Sequence, residues 1–269
     1  MLKDITFGQY YEAPSVVHKC DPRVKILLMI AFIVFIFISQ NALSLAFSTV
    51  AVLFVIVISK VPIRLFLKNL KAIWMVLLFT AVINLFYSKS GNTLISFWII
   101  HITTGGVYRS VFMALRIILL IFISSVLTYT TTPNSLTDAI ESLLSPLKYV
   151  GLKKAVHTFA MMMTIALRFI PTLIEEAEKI MNAQKARGAD LENGKLVERV
   201  KALIPILIPL LISSVRRAYE LAEAMECRCY NGGEGKTRMK QLRLSVTDLY
   251  AGIFITLFAT GIIVLNIVF

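Results

Sequence analysis

The chain has 269 residues, of which 57% are hydrophobic and 16% are charged, and its mean hydropathy is +0.77. Soluble domains are usually about 45–50% apolar and about one quarter charged. The composition therefore excludes disordered, collagen-like and disulfide-stapled secreted proteins, and it argues against a soluble enzyme. Lys and Arg outnumber Asp and Glu by 28 to 16, a formal charge of +12. This excess is typical of nucleic-acid binding, of an anionic membrane surface or of membrane topology, and the positions of the charges decide between them.

Five segments are predicted to span a membrane. No charged residue occurs from Ile26 to Ser59, and this run is too long for one span of about 20 residues. It is therefore predicted to form a helical hairpin that turns at Ser39-Gln40-Asn41. The predicted spans are about 26–38, 42–59, 72–88 and 110–130, followed by a C-terminal helix within 244–269. The apolar piece Leu94–Ile100 is too short to span and is expected to be interfacial or re-entrant, with Trp98 at headgroup level. No cleavable signal peptide is predicted, since the chain before Ile26 lacks the required apolar run.

The basic residues indicate which side of the membrane each loop faces. They concentrate in 1–25, in the 60–71 loop and in 132–243, while the 39–41 turn and the C-terminal tail carry none. Five spans put those three segments on one face, and the positive-inside rule makes that face cytoplasmic. We therefore predict a multi-pass protein of the cytoplasmic membrane with a cytoplasmic N-terminus and an external C-terminus. The positive charge then reflects topology and contact with the lipid bilayer, and no nucleic-acid partner is expected.

Residues 132–243 are predicted to form a cytoplasmic helical domain between an N-terminal membrane region (1–131) and a C-terminal transmembrane helix (244–269). Thr132-Pro133-Asn134-Ser135 is a helix-start signal, and the apolar spacing that follows is helical. The predicted helices cover about 136–148, 153–187 and 195–230, with breaks at Gly151, at 188–194 and at Asn231-Gly232-Gly233. The two long helices are apolar in their early halves and charged in their later halves. Pro171 is expected to kink the first of them.

The two long helices end in similar tripeptides. Ala186-Arg187-Gly188 and Cys227-Arg228-Cys229 each place an Arg between two small residues. Small neighbours leave the guanidinium accessible, and its fork can grip a carboxylate with two hydrogen bonds, which indicates docking to a partner protein. The simpler interpretation stays open, in which each Arg compensates the negative helix C-terminus and Gly188 is a left-handed stop.

A polar motif precedes the first span. It consists of Ser15, His18, Asp21, Pro22, Arg23 and Lys25, and we call these six residues the N-terminal motif. Asp21-Pro22 is predicted to start the helix, with Arg23 and Lys25 at the lipid headgroups. A catalytic His18–Asp21 pair is the alternative, although no nucleophile or metal-ligand set accompanies it.

Other charged or metal-capable side chains are expected to have structural roles. Arg168, ahead of Pro171, is expected either to snorkel or to be buried in an ion pair. Arg116 lies near the external end of its span and is expected to snorkel outward. Packing or other structural roles are also expected for Met161-Met162-Met163, His101 and His157. Cys20, Cys227 and Cys229 are expected to be free, reduced thiols on the cytoplasmic side. No metal site and no cofactor bound by this chain are predicted.

Taken together, these motifs resemble the transmembrane T component of energy-coupling factor (ECF) transporters, the EcfT/CbiQ family. The resemblance covers essentially the whole chain. It rests on Ser-x-x-His-x-x-Asp-Pro-Arg-x-Lys at 15–25, Thr131-Thr132-Pro133, Leu167-Arg168-Phe169-Ile170-Pro171 and the two Arg tripeptides, in this order. The second tripeptide departs from the family's commoner Ala-Arg-Gly/Ser form but keeps Arg228.

The resemblance implies an all-α integral membrane protein with about five transmembrane helices and a cytoplasmic coupling domain whose two long helices cross. It implies a non-catalytic subunit that joins two ABC-type ATPases, which bind ATP and Mg, to a membrane S component that captures a vitamin or a metal ion. Each Arg tripeptide would dock on one ATPase, and Arg168 and Pro171 would shape the coupling helix. The chain itself has no Gly-x-x-x-x-Gly-Lys-Ser/Thr phosphate loop.

Two alternatives from other classes stay open. One is a membrane enzyme that uses His18, Asp21 and Glu175-Glu176-Glu178 at the cytoplasmic face, although these acids lie on a charged helical stretch that is typical of a solvated surface. The other is a permease that moves the solute itself. A permease needs polar side chains along its spans, and only Asn84, Arg116 and small hydroxyl residues offer them. This sparsity favours a scaffold that transmits motion.

Overall fold

The structure, a computed structural model, describes residues 10–87, 93–97, 100–146, 153–189, 196–231 and 244–268. These residues form two compact units. The membrane unit comprises the described residues within Gly8–Leu136 and Leu242–Phe269, and the long-helix unit comprises those within Thr137–Gln241. Trp98, Gly151 and most of the predicted helix breaks at 188–194 and 231–233 lie outside the described residues.

Helices account for nearly all of the described secondary structure. In chain order the elements are α1 (Val16–Lys19), α2 (Pro22–Ile38), α3 (Ala42–Ser59), α4 (Ile63–Tyr87), β1 (Thr93–Phe97), β2 (Ile100–Thr103), α5 (Thr104–Thr130), α6 (Pro133–Leu143), α7 (Lys153–Ala186), α8 (Leu196–Glu226) and α9 (Val246–Val268). The all-α membrane fold predicted from the sequence is confirmed. The one addition is an antiparallel hairpin of β1 and β2, in the segment that was expected to be interfacial or re-entrant.

Capping side chains define where the membrane helices start. Asp21 caps α2 by accepting a hydrogen bond from the Arg23 N–H at 2.9 Å, and Pro22 occupies the first helical position, where no backbone donor is lost. Thr103 caps α5 by accepting from the Gly106 N–H at 3.1 Å. The predicted turn at 39–41 is confirmed, and the Ser39 and Ser44 hydroxyls meet in it at 2.6 Å, both buried.

The core of the membrane unit lies where α5 packs against α2, α3 and α4, and where α9 packs against α2 and α3. Aromatic rings make up much of it. Phe32 on α2 lies 4.6 Å from Phe258 on α9, measured between ring centroids. Phe66 on α4 meets Phe122 and Tyr129 on α5 edge to face, at 5.8 and 5.4 Å. Such pairs add about 0.5–1.5 kcal/mol each beyond the apolar area they bury, and they hold the helices in register.

Five described helices are long and apolar enough to cross a membrane. They are Ala42–Ser59, Ile63–Phe86, Thr104–Thr130, Ala155–Ala186 and Val246–Val268. Four of them contain spans predicted from the sequence. The remaining predicted span corresponds to α2, whose 17 residues rise about 26 Å at 1.5 Å per residue, slightly less than a bilayer core of about 30 Å. The fifth long apolar helix is α7, which the sequence analysis placed in the cytoplasmic domain.

The long-helix unit consists mainly of α7 packed against α8. Both helices continue through their internal prolines, Pro171 in α7 and Pro205 and Pro209 in α8. A polar bridge joins them, since Glu176 accepts from the Arg217 guanidinium at 2.7 Å and from the Ser213 hydroxyl. Large apolar side chains of α8 stay exposed, among them Leu203, Ile204, Leu207, Ile208, Leu211 and Ile212. The assignment of 132–243 to a cytoplasmic domain stays a prediction.

Candidate docking ends and the N-terminal motif

The first Arg tripeptide forms a regular helix stop. Gly188 adopts φ +87°, a left-handed conformation that glycine takes without steric cost. Its N–H donates to the Lys185 carbonyl at 3.0 Å, and the Ala189 N–H donates to the Gln184 carbonyl at 3.0 Å. This pair of bonds is a Schellman motif, which satisfies the last free carbonyls of α7. The expected left-handed stop at Gly188 is confirmed, and Arg187 is the residue directly before it.

The second Arg tripeptide forms the same stop with a different residue. Cys229 takes the left-handed position, with φ +55°. Its N–H donates to the Glu226 carbonyl at 2.8 Å, and the Tyr230 N–H donates to the Met225 carbonyl at 3.0 Å. Arg228 therefore sits at the same point of its helix end as Arg187 does. The likeness between the two tripeptides extends from residue type to backbone geometry.

Both arginines present their guanidinium groups outward. Arg187 and Arg228 are exposed, and so are their flanking residues Gly188, Cys227 and Cys229. Among the described residues, neither guanidinium has an ion-pair or side-chain hydrogen-bond partner. Each charge compensates the negative end of its helix, and its five N–H donors stay free to bind a carboxylate from another molecule.

A histidine reaches the second helix end from the start of α7. His157 Nε2 lies 3.4 Å from the Tyr230 hydroxyl, and His157 Nδ1 lies 3.3 Å from Glu141 Oε1 on α6. His157 was expected to have a structural role, but the sequence did not indicate a partner for it. The structure supplies two, at sequence separations of 73 and 16 residues, which local sequence patterns do not encode. This contact links Tyr230, the residue after Cys229, to α6 and α7.

The left-handed backbone conformation of Cys229 is expected to lower the stability of the chain, and this effect can be measured. A residue with a Cβ pays about 1–2 kcal/mol in the left-handed region, and glycine does not. We expect Cys229→Gly to stabilise the chain by about 1 kcal/mol, which raises the melting temperature by roughly 2–4 °C in thermal unfolding. The matched control is Cys227→Gly. Cys227 precedes the left-handed residue, so glycine there is expected to be neutral or destabilising, and a gain at Cys227 alone would contradict the assignment.

His18 of the N-terminal motif fixes the segment that precedes α2 through hydrogen bonds to Ser15 and Tyr11. Ser15 caps α1 by accepting from the His18 N–H at 3.3 Å. The Ser15 hydroxyl and His18 Nδ1 are 2.6 Å apart, and His18 Nε2 lies 2.8 Å from the Tyr11 carbonyl oxygen. A carbonyl oxygen can only accept, so Nε2 carries the proton in this contact. The Tyr11 N–H in turn donates to the carbonyl of Tyr129 on α5 at 2.9 Å.

Asp21 and Lys25 of the motif form a buried polar cluster with Asp248 of α9, and this cluster joins four helices. Asp248, in the first turn of α9, accepts from the Asp21 N–H at 2.8 Å and from the Ser245 N–H at 2.7 Å. Lys25 donates to the Thr130 carbonyl at the end of α5, at 2.9 Å, and to the His18 carbonyl at 3.3 Å. Asp21, Lys25 and Asp248 are all buried. The motif therefore fastens α1, α2, α5 and α9 to one another.

This arrangement does not favour the catalytic interpretation of His18 and Asp21. The two side chains bind different partners, since His18 holds Ser15 and Tyr11 while Asp21 caps α2. The only ion pair of Asp21 among the described residues is with Arg23, at 3.9 Å. Burial raises the pKa of the neighbouring Cys20 thiol, which keeps it protonated and unreactive. Among the described residues, no group of three or more His, Cys, Asp or Glu is placed to hold a metal ion.

Asp248 was not predicted from the sequence, and the environment predicted for Lys25 was wrong. Asp248 is an isolated acid at the start of the last apolar stretch. Acidic residues are rare in membrane helices, and this rarity could have indicated that Asp248 has a role. Lys25 was expected at the lipid headgroups, but its ammonium group is buried against two backbone carbonyls. Arg116 was expected to snorkel outward. Its guanidinium donates to the Ser39 carbonyl, in the 39–41 turn at that predicted external end, and lies 4.9 Å from the Phe112 ring.

The remaining coupling-helix residues lie on the surface of α7. Arg168 and Pro171 are both exposed. No ion pair involves Arg168 among the described residues, so the buried, paired alternative for this residue is not observed. The acids of the enzyme alternative do not converge either. Glu176 is occupied by Arg217 and Ser213 on the facing helix, while Glu175 is exposed.

The sequence of the chain matches one known protein family. The family model CbiQ, described as a cobalt transport protein, matches residues 13–239. The chain belongs to the CbiQ/EcfT family. The match covers the N-terminal motif, both Arg tripeptides and the membrane helices between them, so the resemblance drawn from the motifs is confirmed.

Curated relatives are similar over almost the whole chain. The protein from Ruminiclostridium cellulolyticum is 48% identical over 269 residues, which is 100% of both chains. That from Clostridium kluyveri is 50% identical over 254 residues, 94% of this chain and 93% of the relative, and that from Thermosediminibacter oceani is 47% identical over 260 residues, 97% of both. Each is named energy-coupling factor transporter transmembrane protein EcfT. As a CbiQ/EcfT protein with several apolar helices, this chain is a multi-pass membrane subunit of a transporter.

Proposed function

We propose that this chain couples two cytosolic ABC-type ATPases to a substrate-capturing membrane S component in an ECF-type importer for a vitamin or a metal ion. The observation that carries the proposal is the matched pair of helix ends. Two exposed arginines occupy the same position in two Schellman stops at the ends of two packed helices. Two equivalent partners, each offering a carboxylate in a groove, would fit two equivalent ends.

The charges along the long helices support their placement in the cytosol. α7 has 34 residues, more than one span requires. Its later half carries Glu175, Glu176, Glu178 and Lys179, and a charged residue at the centre of a bilayer costs about 2.5–3.5 kcal/mol even on insertion scales. The Arg-bearing ends would therefore reach the cytosol. The same orientation would place the N-terminus inside and the C-terminus outside.

The bridge between α7 and α8 supports the transmission of motion. Glu176 holds Arg217 and Ser213 from the facing helix, so a displacement at either Arg end would be shared by both helices. The exposed apolar side chains nearer the helix starts, such as Phe159, Met162 and Leu207, offer a surface for the S component. ATP and Mg would be bound by the ATPases, because this chain lacks a phosphate-binding loop. Its own role would be mechanical and non-catalytic.

The test is to co-express the chain with candidate ABC ATPases and S components and to purify it in mild detergent. We expect two ATPase subunits and one S component to co-purify. We also expect vitamin or metal-ion uptake into proteoliposomes to require ATP. Uptake by the chain alone would support the permease alternative. Purification without any ATPase, in a preparation that contains folded chain, would contradict the proposal.

A further inference from the structure

An apolar cavity of about 320 Å³ lies inside the membrane unit, among α1, α2, α3, α5 and α9. Most of its wall is aromatic and aliphatic, with Phe32, Ile123 and Phe254 among the lining residues. Its polar lining residues are Cys20, Lys25, Thr130 and Thr247. Lys25 donates to the Thr130 carbonyl, and the Cys20 thiol lies 4.0 Å from the Thr247 carbonyl. Cys20 and Lys25 are close enough to interact electrostatically, so the four residues lie together. The cavity thus has an apolar body and one polar end.

Water is a poor occupant for the body of this cavity. A buried water needs two to four polar partners, and apolar cavities of this kind stay dry and take up apolar ligands. The cavity also opens to the outside of the unit. Three of its lining side chains, Val16, Phe54 and Tyr250, are 53%, 52% and 65% exposed. In a membrane protein, the exposed faces of these helices meet lipid, so lipid chains have direct access to the opening.

The size of the cavity suits part of one lipid chain. A methylene group takes up nearly the volume of a water molecule in the liquid, about 30 Å³. A volume of about 320 Å³ therefore holds roughly ten chain carbons.

The polar end offers hydrogen bonds that the protein leaves unused. An ammonium group has three donors, and Lys25 uses two of them, on the carbonyls of Thr130 and His18. The hydroxyl oxygen of Thr247 is buried beside the Cys20 thiol and has no nitrogen or oxygen partner among the described residues. An ester or phosphate oxygen at the top of an acyl chain matches both groups, since it accepts hydrogen bonds and carries or shares negative charge.

We propose that this cavity is a specific binding site for one acyl chain of a phospholipid, with its ester or phosphate oxygens at Lys25 and Thr247. The site lies directly beneath the N-terminal motif and against α2, α5 and α9. A bound chain completes the packing between these helices and stabilises the membrane unit. The proposal does not depend on ATPase docking, since every residue in it belongs to the membrane unit.

The test uses the full chain with its co-purifying subunits and phosphatidylglycerol that carries a diazirine on one acyl chain. After washing in detergent to remove loosely bound lipid, the retained probe is photolysed and the cross-linked peptides are identified by mass spectrometry. We expect cross-links on the wall residues Met29, Val55 and Leu127. Cross-links confined to exposed residues outside the cavity, such as Met75 and Val111, would overturn the proposal. Probe attached only to a partner subunit, with none on the cavity wall, would also overturn it.

Two substitutions on α9 separate a specific site from general lipid contact. Ala251 lines the cavity, whereas Ile253 is exposed and outside it. We expect Ala251→Trp to lower probe retention at least about tenfold, because the indole ring fills space in the cavity that the acyl chain would occupy. Ile253→Trp should leave retention unchanged. If Ala251→Trp does not fold, Ala251→Leu should give a smaller loss in the same direction, and equal retention in Ala251→Leu and wild type would overturn the proposal.

Discussion

Replacing both Arg187 and Arg228 with Ala is expected to abolish ATP-driven uptake while the chain still inserts into the membrane. Each guanidinium is exposed and unpaired within the described chain, so its removal costs the isolated chain little. A hydrogen bond to a charged group contributes about 1.5–3 kcal/mol. Loss of two such contacts should weaken ATPase binding at least about 100-fold in total. Co-purification of the ATPases and uptake into proteoliposomes measure both effects.

A matched double substitution controls for the loss of charge. Lys179 on α7 and Arg216 on α8 are exposed cations on the same two helices, away from the helix ends. Lys179→Ala with Arg216→Ala removes the same formal charge and is expected to leave ATPase binding and uptake close to wild type. Replacing both tripeptide arginines with Lys keeps the charge but removes the planar fork, so an intermediate loss is expected. Unchanged uptake and ATPase recovery in the Arg187→Ala, Arg228→Ala variant would refute the docking assignment.

Replacing Asp248 with Ala is expected to destabilise the membrane unit by about 3 kcal/mol or more. The carboxylate accepts from two backbone N–H groups, those of Asp21 and Ser245, and the first of these bonds is buried. Removing the Asp248 carboxylate leaves the Asp21 and Ser245 N–H groups unsatisfied and takes a negative charge away from the buried Lys25 ammonium. The melting temperature should fall by roughly 6–12 °C. Heat-induced labelling of the buried Cys20, in a chain with Cys227 and Cys229 replaced by Ser, reports the unfolding.

Controls for Asp248→Ala separate the acid's role from helix propensity. Asp248→Asn keeps one carbonyl oxygen as an acceptor but loses the charge and the second acceptor, so its effect should be smaller than that of Ala. Thr260→Val changes an exposed residue of the same helix, whose hydroxyl donates to the Thr256 carbonyl one turn earlier, and should be close to neutral. A melting temperature for Asp248→Ala equal to that of Thr260→Val would show that the buried polar cluster contributes nothing to stability.

Much of the local structure could be predicted from residue order alone. The start of α2 follows from Asp21-Pro22, the turn at 39–41 from three polar residues in an apolar run, and the end of α7 from Gly188. These features depend on caps, φ preferences and hydropathy over a few neighbouring residues, which a sequence displays directly. The Arg tripeptides were found for the same reason, since their signal is three adjacent residues.

Other parts of the site could not be predicted, because they depend on which helices meet. The bond from Asp21 to Asp248 joins residues 227 positions apart, the bond from Lys25 to Thr130 spans 105, and the bond from Arg116 to Ser39 spans 77. Periodicity shows that a helix has an apolar face but not which helix covers it. For that reason the burial of Lys25 and the carbonyl partner of Arg116 were not predicted, and Asp248 was not singled out at all.

The composition and order of the residues by themselves determined the membrane class, the approximate spans, the charge asymmetry and the two arginines at helix ends. Only the tertiary structure showed that both arginines precede left-handed stops of the same geometry. It also showed that buried hydrogen bonds of the N-terminal motif join four helices and that an apolar cavity lies beside the motif. The physical reason is the range of the interactions. Caps act over one helical turn and hydropathy within one segment, whereas buried charges and cavities are defined by packing between distant segments.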